Sequence, residues 1–235
     1  MFVLNNTTRL QPGKSWKDDK GLQHPSNWAS AWSAEEKAAY GIKEVSIQTK
    51  PDDKFYWVTG PALDGTWTST AKNLDDVTKT VDGVSTTTLG LKSQWITKTK
   101  ETANSLLAPT DWQVIAKAER DRAIDSNVAT YRAAVITKCT AIRKLITDIT
   151  YPETPSNYAA AKAKLEDDRT DAEKKIVSDH DTEVAAVFTS FKALFDAPTK
   201  TTTKTMTNED GSTYEETTVE ITGNPPMYDW PVMGE

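Results

Sequence analysis

The sequence predicts an α+β fold: a small Trp-rich unit of β-hairpins with a short helix, then helices that include a long helical hairpin, then a Thr-rich β-hairpin near the C-terminus. Three observations predict it. Turn formers and short alternating runs fill the first 88 positions, apolar residues recur at helical spacing from Leu91 to Leu194, and threonines crowd the stretch from Thr201 to Thr222. The expected segments are 1–88 (Trp-rich, β-rich), 89–123 (connecting helices), 124–200 (helical hairpin) and 201–235 (β-hairpin and extended tail).

Five of the eight tryptophans, Trp16, Trp28, Trp32, Trp57 and Trp67, lie in or next to the first sixty residues, among turn formers such as Pro12-Gly13 and His24-Pro25-Ser26-Asn27. Ser33 with Glu36 forms a capping box, which predicts a short helix over Ala34–Tyr40 ended by Gly41. Ile42–Gln48 and Lys54–Thr59 read as the strands of one hairpin, joined by Pro51-Asp52-Asp53. Asp64-Gly65, Asp82-Gly83 and Asp210-Gly211 supply the left-handed pair of a type I′ turn, so hairpins are expected over Pro61–Thr70, Thr78–Thr88 and Thr201–Thr222. The last has no clean apolar face. Such a ribbon is marginal alone and its register is weakly specified, so it needs a neighbour.

Leu91, Trp95, Thr99, Ala103, Leu106 and Leu107 follow helical spacing, and Pro109 stops that helix at Ala108. Thr110-Asp111-Trp112-Gln113 then reads as a capping box opening a helix over Val114–Glu119. Val128, Val135, Ile142 and Ile149 recur every seven residues, with Tyr131, Lys138 and Leu145 three residues after the first three. This is the a/d seam of a coiled coil with one polar breach, at Lys138. A second helix opens near Ser156 and carries Val177, Val184 and Phe191 at one heptad position and His180, Val187 and Leu194 at the other. Between Leu165 and Ile176 alanine is the only apolar residue, so that stretch is a solvated arm or a break. Tyr151–Pro155 separates the two helices, and Asn224–Pro231 reads as an extended tail tipped by Met227, Tyr228 and Trp230.

Composition narrows the function classes. The chain carries 28 Lys+Arg against 34 Asp+Glu, and a net charge of −6 argues against nucleic acid, which requires a basic face. Only 37% of its 235 residues are apolar, 35 are threonine, and the mean hydropathy is −0.59, so stability is expected to come from elongation and partners rather than one large core. No apolar run approaches the ~18 residues of a membrane span, and Met1–Leu4 runs into Asn5–Thr8 without the basic n-region of a secretory signal. The single cysteine, Cys139, excludes an internal disulfide and a Cys-based zinc site.

Little here could carry chemistry. Asn208–Gly211 resembles a calcium loop, but Met206 and Thr217 stand where that loop needs its acids, so it reads as a hairpin turn. His180, within Ser178–Asp181, reads as a satisfied core or interface histidine, His24 as a loop-ordering residue, and Cys139 as a small buried hydrophobe. Asp75-Asp76 and Glu215-Glu216 are solvated faces rather than a glycosidase pair. The N-terminal tryptophans either stack on sugar rings or pack a small core. No catalytic residue, cofactor or metal ligand is expected, and the chain is expected not to be an enzyme.

Three stretches together carry a resemblance. Gly13–Trp28, followed by Trp32–Ile42, is similar to the opening of tail-fibre-associated structural proteins of marine tailed bacteriophages, cyanophages especially. Leu106-Leu107-Ala108-Pro109-Thr110-Asp111-Trp112, then Thr130-Tyr131-Arg132-Ala133-Ala134-Val135, resembles the phage tail-assembly-chaperone family, in which a leucine pair, Thr-Asp-Trp and a downstream Tyr-Arg recur. Pro226–Pro231 fits as well, whereas Ala159–Thr222 departs from typical members. The resemblance implies a non-enzymatic virion structural protein of the tail or tail-fibre attachment, made in the host cytoplasm and resident in the virion. Its implied partners are other tail or fibre proteins and copies of itself, with no nucleic acid and no membrane. Trp16, Trp28, Trp32, Trp112, Met227, Tyr228 and Trp230 are the candidate partner contacts, and ordering of the Thr201–Thr222 ribbon and the Met227–Trp230 tail by neighbouring subunits is expected. The alternatives are a tail-fibre assembly chaperone absent from the mature particle and a fibre module that binds host glycan.

Overall fold

The structure, a computed structural model, describes residues 1–208 and 212–233. It has the α+β composition expected, with several small sheets, long helices and a C-terminal ribbon. The chain divides into two compact units, Met1–Lys72 and Asn73–Glu235.

The first unit contains β1 (Phe2–Leu4), β2 (Thr8–Leu10), β3 (Trp16–Lys17), β4 (Gln23–His24), α1 (Trp28–Ala31), α2 (Ala34–Ala39), β5 (Ile42–Glu44), β6 (Tyr56–Thr59) and β7 (Thr68–Ala71). Ser33 caps α2 as expected: its hydroxyl accepts from the Glu36 amide at 3.1 Å, and the Glu36 carboxylate accepts from the Ser33 amide at 2.7 Å. The pairing of the strands differs from the sequence reading. Ile42–Glu44 pairs with β1, forming the antiparallel sheet β2–β1–β5, and Tyr56–Thr59 pairs with β7. Asn5 and Asn6 both take left-handed φ (48° and 56°), which closes β1 onto β2 and leaves the other edge of β1 free for β5. Leu10, Trp16, Trp28 and Ile42 are the core of this unit, with Phe2, Leu4, Ala29 and Trp32 against them.

Asp64-Gly65 sits in the long β6–β7 loop instead of a two-residue turn. Gly65 has φ +85°, and a Cβ there would meet the Ser46 carbonyl oxygen at 2.1 Å. Only glycine fits that crossing.

The second unit begins with β8 (Val77–Val81) and β9 (Val84–Thr88), joined by Asp82 and Gly83 with φ 51° and 79°, the type I′ turn expected. The boundary expected after Thr88 therefore lies at Lys72–Asn73, because residues 73–76 cap the next helix, α3 (Leu91–Leu107). The carbonyls of Asn73 and Leu74 accept from the amides of Leu91 and Lys92 at 2.9 and 3.0 Å, and Asp76 accepts from the Gly90 amide at 2.7 Å. Leu74, fully buried, anchors the segment. These bonds take up N-terminal amides that a helix leaves without internal partners.

A 3₁₀ turn (Ala108–Thr110) follows, then α4 (Asp111–Arg120), α5 (Ser126–Thr147), α6 (Tyr158–Ala163) and α7 (Asp171–Ala193). The polar stretch after Leu165 is a break: α6 ends at Ala163, a 3₁₀ turn covers Glu166–Asp168, and Thr170 opens α7 with a capping box to Glu173. Arg169 closes the gap by donating to the carbonyls of Ala161 (2.9 Å), Lys162 (3.2 Å) and Lys164 (3.0 Å).

The principal partner of α5 is α3, and that of α7 is α6. Leu91, Trp95, Thr99 and Ala103 form the buried stripe of α3, and Tyr131, Val135, Ile142 and Ile146 that of α5. The heptad seam holds through its middle. At its end the four-residue step from Ile142 buries Ile146, while Leu145 stays 43% exposed. Every heptad residue expected on α7 is buried or half-buried.

The chain closes with the ribbon β10 (Thr199–Thr207) and β11 (Thr213–Ile221) and a short tail. The expected Asp210-Gly211 turn lies outside the described residues. The tail is turned rather than extended: the Pro225 carbonyl accepts from the amides of Tyr228 (2.9 Å) and Asp229 (3.1 Å).

Candidate protein-interaction site

In the first unit the aromatic cluster is mostly core. Trp28 is fully buried, its indole N–H donates to the Lys14 carbonyl at 2.9 Å, and Phe2 meets it edge-on at 5.1 Å between centroids. Trp16 is buried and stacks on His24 at 4.3 Å, and its indole nitrogen has no hydrogen-bond partner among the described residues. Trp32 is half-buried and stacks on the more exposed Tyr40 at 4.9 Å. Of the three tryptophans singled out here, only Trp32 keeps a face toward the surface. The packing reading of the cluster therefore holds for Trp16 and Trp28.

His24 orders this cluster. Its ring lies among Trp16, Trp32 and Tyr40, and its Nε2 pairs with the Asp18 carboxylate at 3.2 Å. Burial works to raise the Asp18 carboxyl. Hydrogen bonds from the Leu22 amide, the His24 ring and the Lys20 amide outweigh it, so the group sits below its ordinary value.

In the second unit the structure joins the two halves of the Leu-Leu, Thr-Asp-Trp and Tyr-Arg pattern. Arg132, nearly two turns into α5, points its Nη1 at the end of α3. That nitrogen lies 3.0 Å from the Leu107 carbonyl, 2.7 Å from the Thr110 hydroxyl and 2.8 Å from the Asp111 carboxylate. Tyr131 donates its hydroxyl to the Leu106 carbonyl at 3.3 Å. Thr110 in turn donates to the Leu107 carbonyl at 2.8 Å, so it forms no cap on α4, contrary to the capping box expected there. The carbonyls that α3 leaves unpaired at its end are thus met by two side chains of α5. Leu106 and Leu107 close the apolar side against Ala103, Tyr131 and Val135.

Trp112, the last residue of the pattern, has no part in this clamp and stays 53% exposed. It is the second residue of α4, a helix with no buried residue, and Ile115 shares its face three positions on. The loop after α4 folds back beside it. Asp121 takes φ 51°, the Gln113 side chain accepts from the Asp125 amide at 2.9 Å, and the Arg122 guanidinium lies 5.6 Å from the Trp112 ring centre. Between them is a cleft of about 360 Å³, floored by Ala116 and Ile124. Trp112 is thus a half-exposed tryptophan with a cation against its face, on a helix held at its base by the part-buried Arg132 clamp, and aromatic side chains so placed are frequent anchors at protein–protein interfaces.

The tail is seated on its own helices. Met227 is buried and its amide donates to the Leu194 carbonyl at 3.1 Å. Trp230 packs against the Ala103–Tyr131–Val135 cluster, and Asp229 pairs with Lys138 at 2.8 Å. That ion pair accounts for the polar breach in the seam and holds the Asp229 carboxyl below its usual range. Of the three tail residues, Tyr228 alone stays well exposed; Met227 is used up internally, and Trp230 keeps part of its surface open.

His180 is buried on α7, its ring tilted edge-to-face against Tyr158 with the centroids 4.4 Å apart, and its Nδ1 has no hydrogen-bond partner among the described residues. The polar work at this corner falls to Asp181, which accepts from Tyr158 at 2.6 Å and pairs with Lys162; both bonds lower its carboxyl, Lys162 the more. Cys139 is half-buried beside the α3–α5 cluster. Among the described residues no three of His, Cys, Asp or Glu are grouped closely enough to hold a metal ion, and no helix is long and apolar enough to cross a membrane.

No family profile, curated protein or solved structure matches this chain.

Proposed function

We propose that this chain is a non-enzymatic structural protein of a tailed-phage virion, part of the tail or of the tail-fibre attachment, and that it acts through protein–protein interfaces. The observation that carries the proposal is the Arg132 clamp. Residues spaced along the chain from Leu106 to Arg132, which resemble the tail-assembly pattern, meet in one bonded cluster. All of them except Trp112 are spent on that cluster, and Trp112 is left outside it as a contact. Partners in this reading are other tail or fibre proteins and further copies of the chain, and its location is the virion after synthesis in the host cytoplasm.

The two alternatives separate from it by experiment. Mass spectrometry of purified particles finds a permanent component and misses an assembly chaperone that leaves. A glycan-binding role would draw on the Trp32–Tyr40 stack and the exposed Trp57, with Lys72 at 4.6 Å from its ring. Trp112→Ala should leave folding intact and reduce incorporation into particles. Full incorporation of that variant would remove Trp112 from the interface.

A further inference from the structure

Among the described residues, every position of both strands of the β10–β11 ribbon is exposed. Its backbone pattern follows from the two bonds at its ends. The Thr222 amide donates to the Pro198 carbonyl at 2.8 Å, and the Asn208 amide to the Ser212 carbonyl at 2.8 Å. Both lie in the same unbroken antiparallel register, in which Thr203 faces Thr217. Hydrogen-bonded and non-bonded pairs alternate along such a ladder. The even-numbered residues of β10 therefore bond inward, and Thr199, Thr201, Thr203, Thr205 and Thr207 turn their amides and carbonyls outward. On β11 the outward groups belong to Thr213, Glu215, Thr217, Val219 and Ile221. Each edge is an unpaired template for another strand.

The two edges carry opposite charge. β10 holds Lys200 and Lys204 and no acid, whereas β11 holds Glu215, Glu216 and Glu220 and no base. Within the ribbon Lys200 faces Glu220 and Lys204 faces Glu216, yet neither pair comes within ion-pair distance among the described residues.

We propose that β10 of one copy adds antiparallel to β11 of a second copy, so that the ribbon is a charge-coded, head-to-tail joint between copies of this chain. Addition in the register the strands already use brings Lys200 and Lys204 opposite Glu220 and Glu216 of the second copy. Pairing β10 with β10 sets lysine against lysine, and β11 with β11 sets glutamate against glutamate; both are disfavoured. Because the two edges differ, one joint leaves a free β10 at one end and a free β11 at the other. Association therefore continues past the dimer or closes into a ring. The joint rests on the reading of this chain as an interaction protein but not on its placement in a virion.

Sedimentation of the full chain over a range of concentration and salt tests it. The wild type should form species larger than a dimer, and salt should weaken them. K200E/K204E makes both strands acidic, and E215K/E216K/E220K makes both basic. Each variant alone should lose self-association by roughly tenfold or more, while an equimolar mixture of the two recovers it, since every acidic edge then meets a basic one. Circular dichroism shows whether each variant keeps the wild-type helix content; the substituted residues are all exposed. A monomeric wild type, variants that associate like the wild type, or a mixture that fails to recover association would each overturn the joint. Chains that assemble in this way but are absent from particles would leave it standing and remove the virion reading.

Discussion

Arg132→Ala removes the side chain that ties α3, Thr110 and Asp111 to α5. Its Nη1 carries two hydrogens, so at most two of its three contacts are straight bonds at one time. A hydrogen bond to a charged group contributes about 1.5–3 kcal/mol net. The Asp111 carboxylate is 54% exposed and belongs at the weak end, whereas the Leu107 and Thr110 bonds are part-buried. Releasing the ordered arginine returns up to about 2 kcal/mol of side-chain entropy. The variant should therefore be about 2–3 kcal/mol less stable in urea unfolding followed by far-ultraviolet circular dichroism, which reports mainly on the helical unit. Arg132→Lys keeps the charge without the planar fork and should fall between it and the wild type. Asp111→Ala should cost less than about 1 kcal/mol. An Arg132→Ala protein within about 0.5 kcal/mol of wild type, or an equal loss from Asp111→Ala, would show that the cluster is a surface ion pair and not a clamp.

Three further outcomes follow from the packing and the charges. Ile142→Ala, at a fully buried position, should cost about 2–5 kcal/mol in the same unfolding assay, and Leu145→Ala less than about 1 kcal/mol; equal losses would mean the α5 stripe is misplaced. Lys164 first, then the Thr170 amide, hold the Glu173 carboxyl at about 2, below the ordinary glutamate value of 4.5. A depressed carboxylate stabilises the fold above its unfolded value, and that contribution is lost as pH falls through the folded one. Glu173→Gln should thus melt below the wild type at neutral pH, with the gap closing between pH 4.5 and about 2; a gap that persists at the acid end would contradict the linkage. Gly65→Ala should destabilise the first unit by more than the ~1–2 kcal/mol of a left-handed φ alone, because its Cβ would strike the Ser46 carbonyl, whereas Gly83→Ala, with nothing within 4 Å, should cost only the φ term. Tryptophan fluorescence during unfolding distinguishes the two.

What the sequence discloses here is what local rules govern. The Ser33 capping box, the Asp82-Gly83 turn, the helix from Leu91 and the heptads of α7 depend on neighbours within one turn or one hairpin, and the structure has them where expected. The Thr170–Glu173 capping box carries the same signal, masked by the charged stretch around it. Strand partners were less legible. β5 pairs with β1, some forty positions away, because the asparagine turn leaves one edge of β1 open, and no local pattern near Ile42 records that. The candidate site shows the same divide. Trp112 was visible as a candidate, but the clamp that holds its helix depends on Arg132 reaching back past α4, and spacing alone gives no geometry for that. The sequence marks Met227 as part of an extended, aromatic-tipped tail. Its burial follows from a turn at Pro225 and an ion pair between Lys138 and Asp229, 91 positions apart.

A reconstruction of the tail of the particle that carries this chain tests the proposed placement most directly. The expected result is density for α3, α4 and α5 on the tail or at the fibre attachment, with Trp112 buried against a neighbouring chain. Tail density accounted for entirely by other proteins, or this chain present with Trp112 facing solvent, would contradict it.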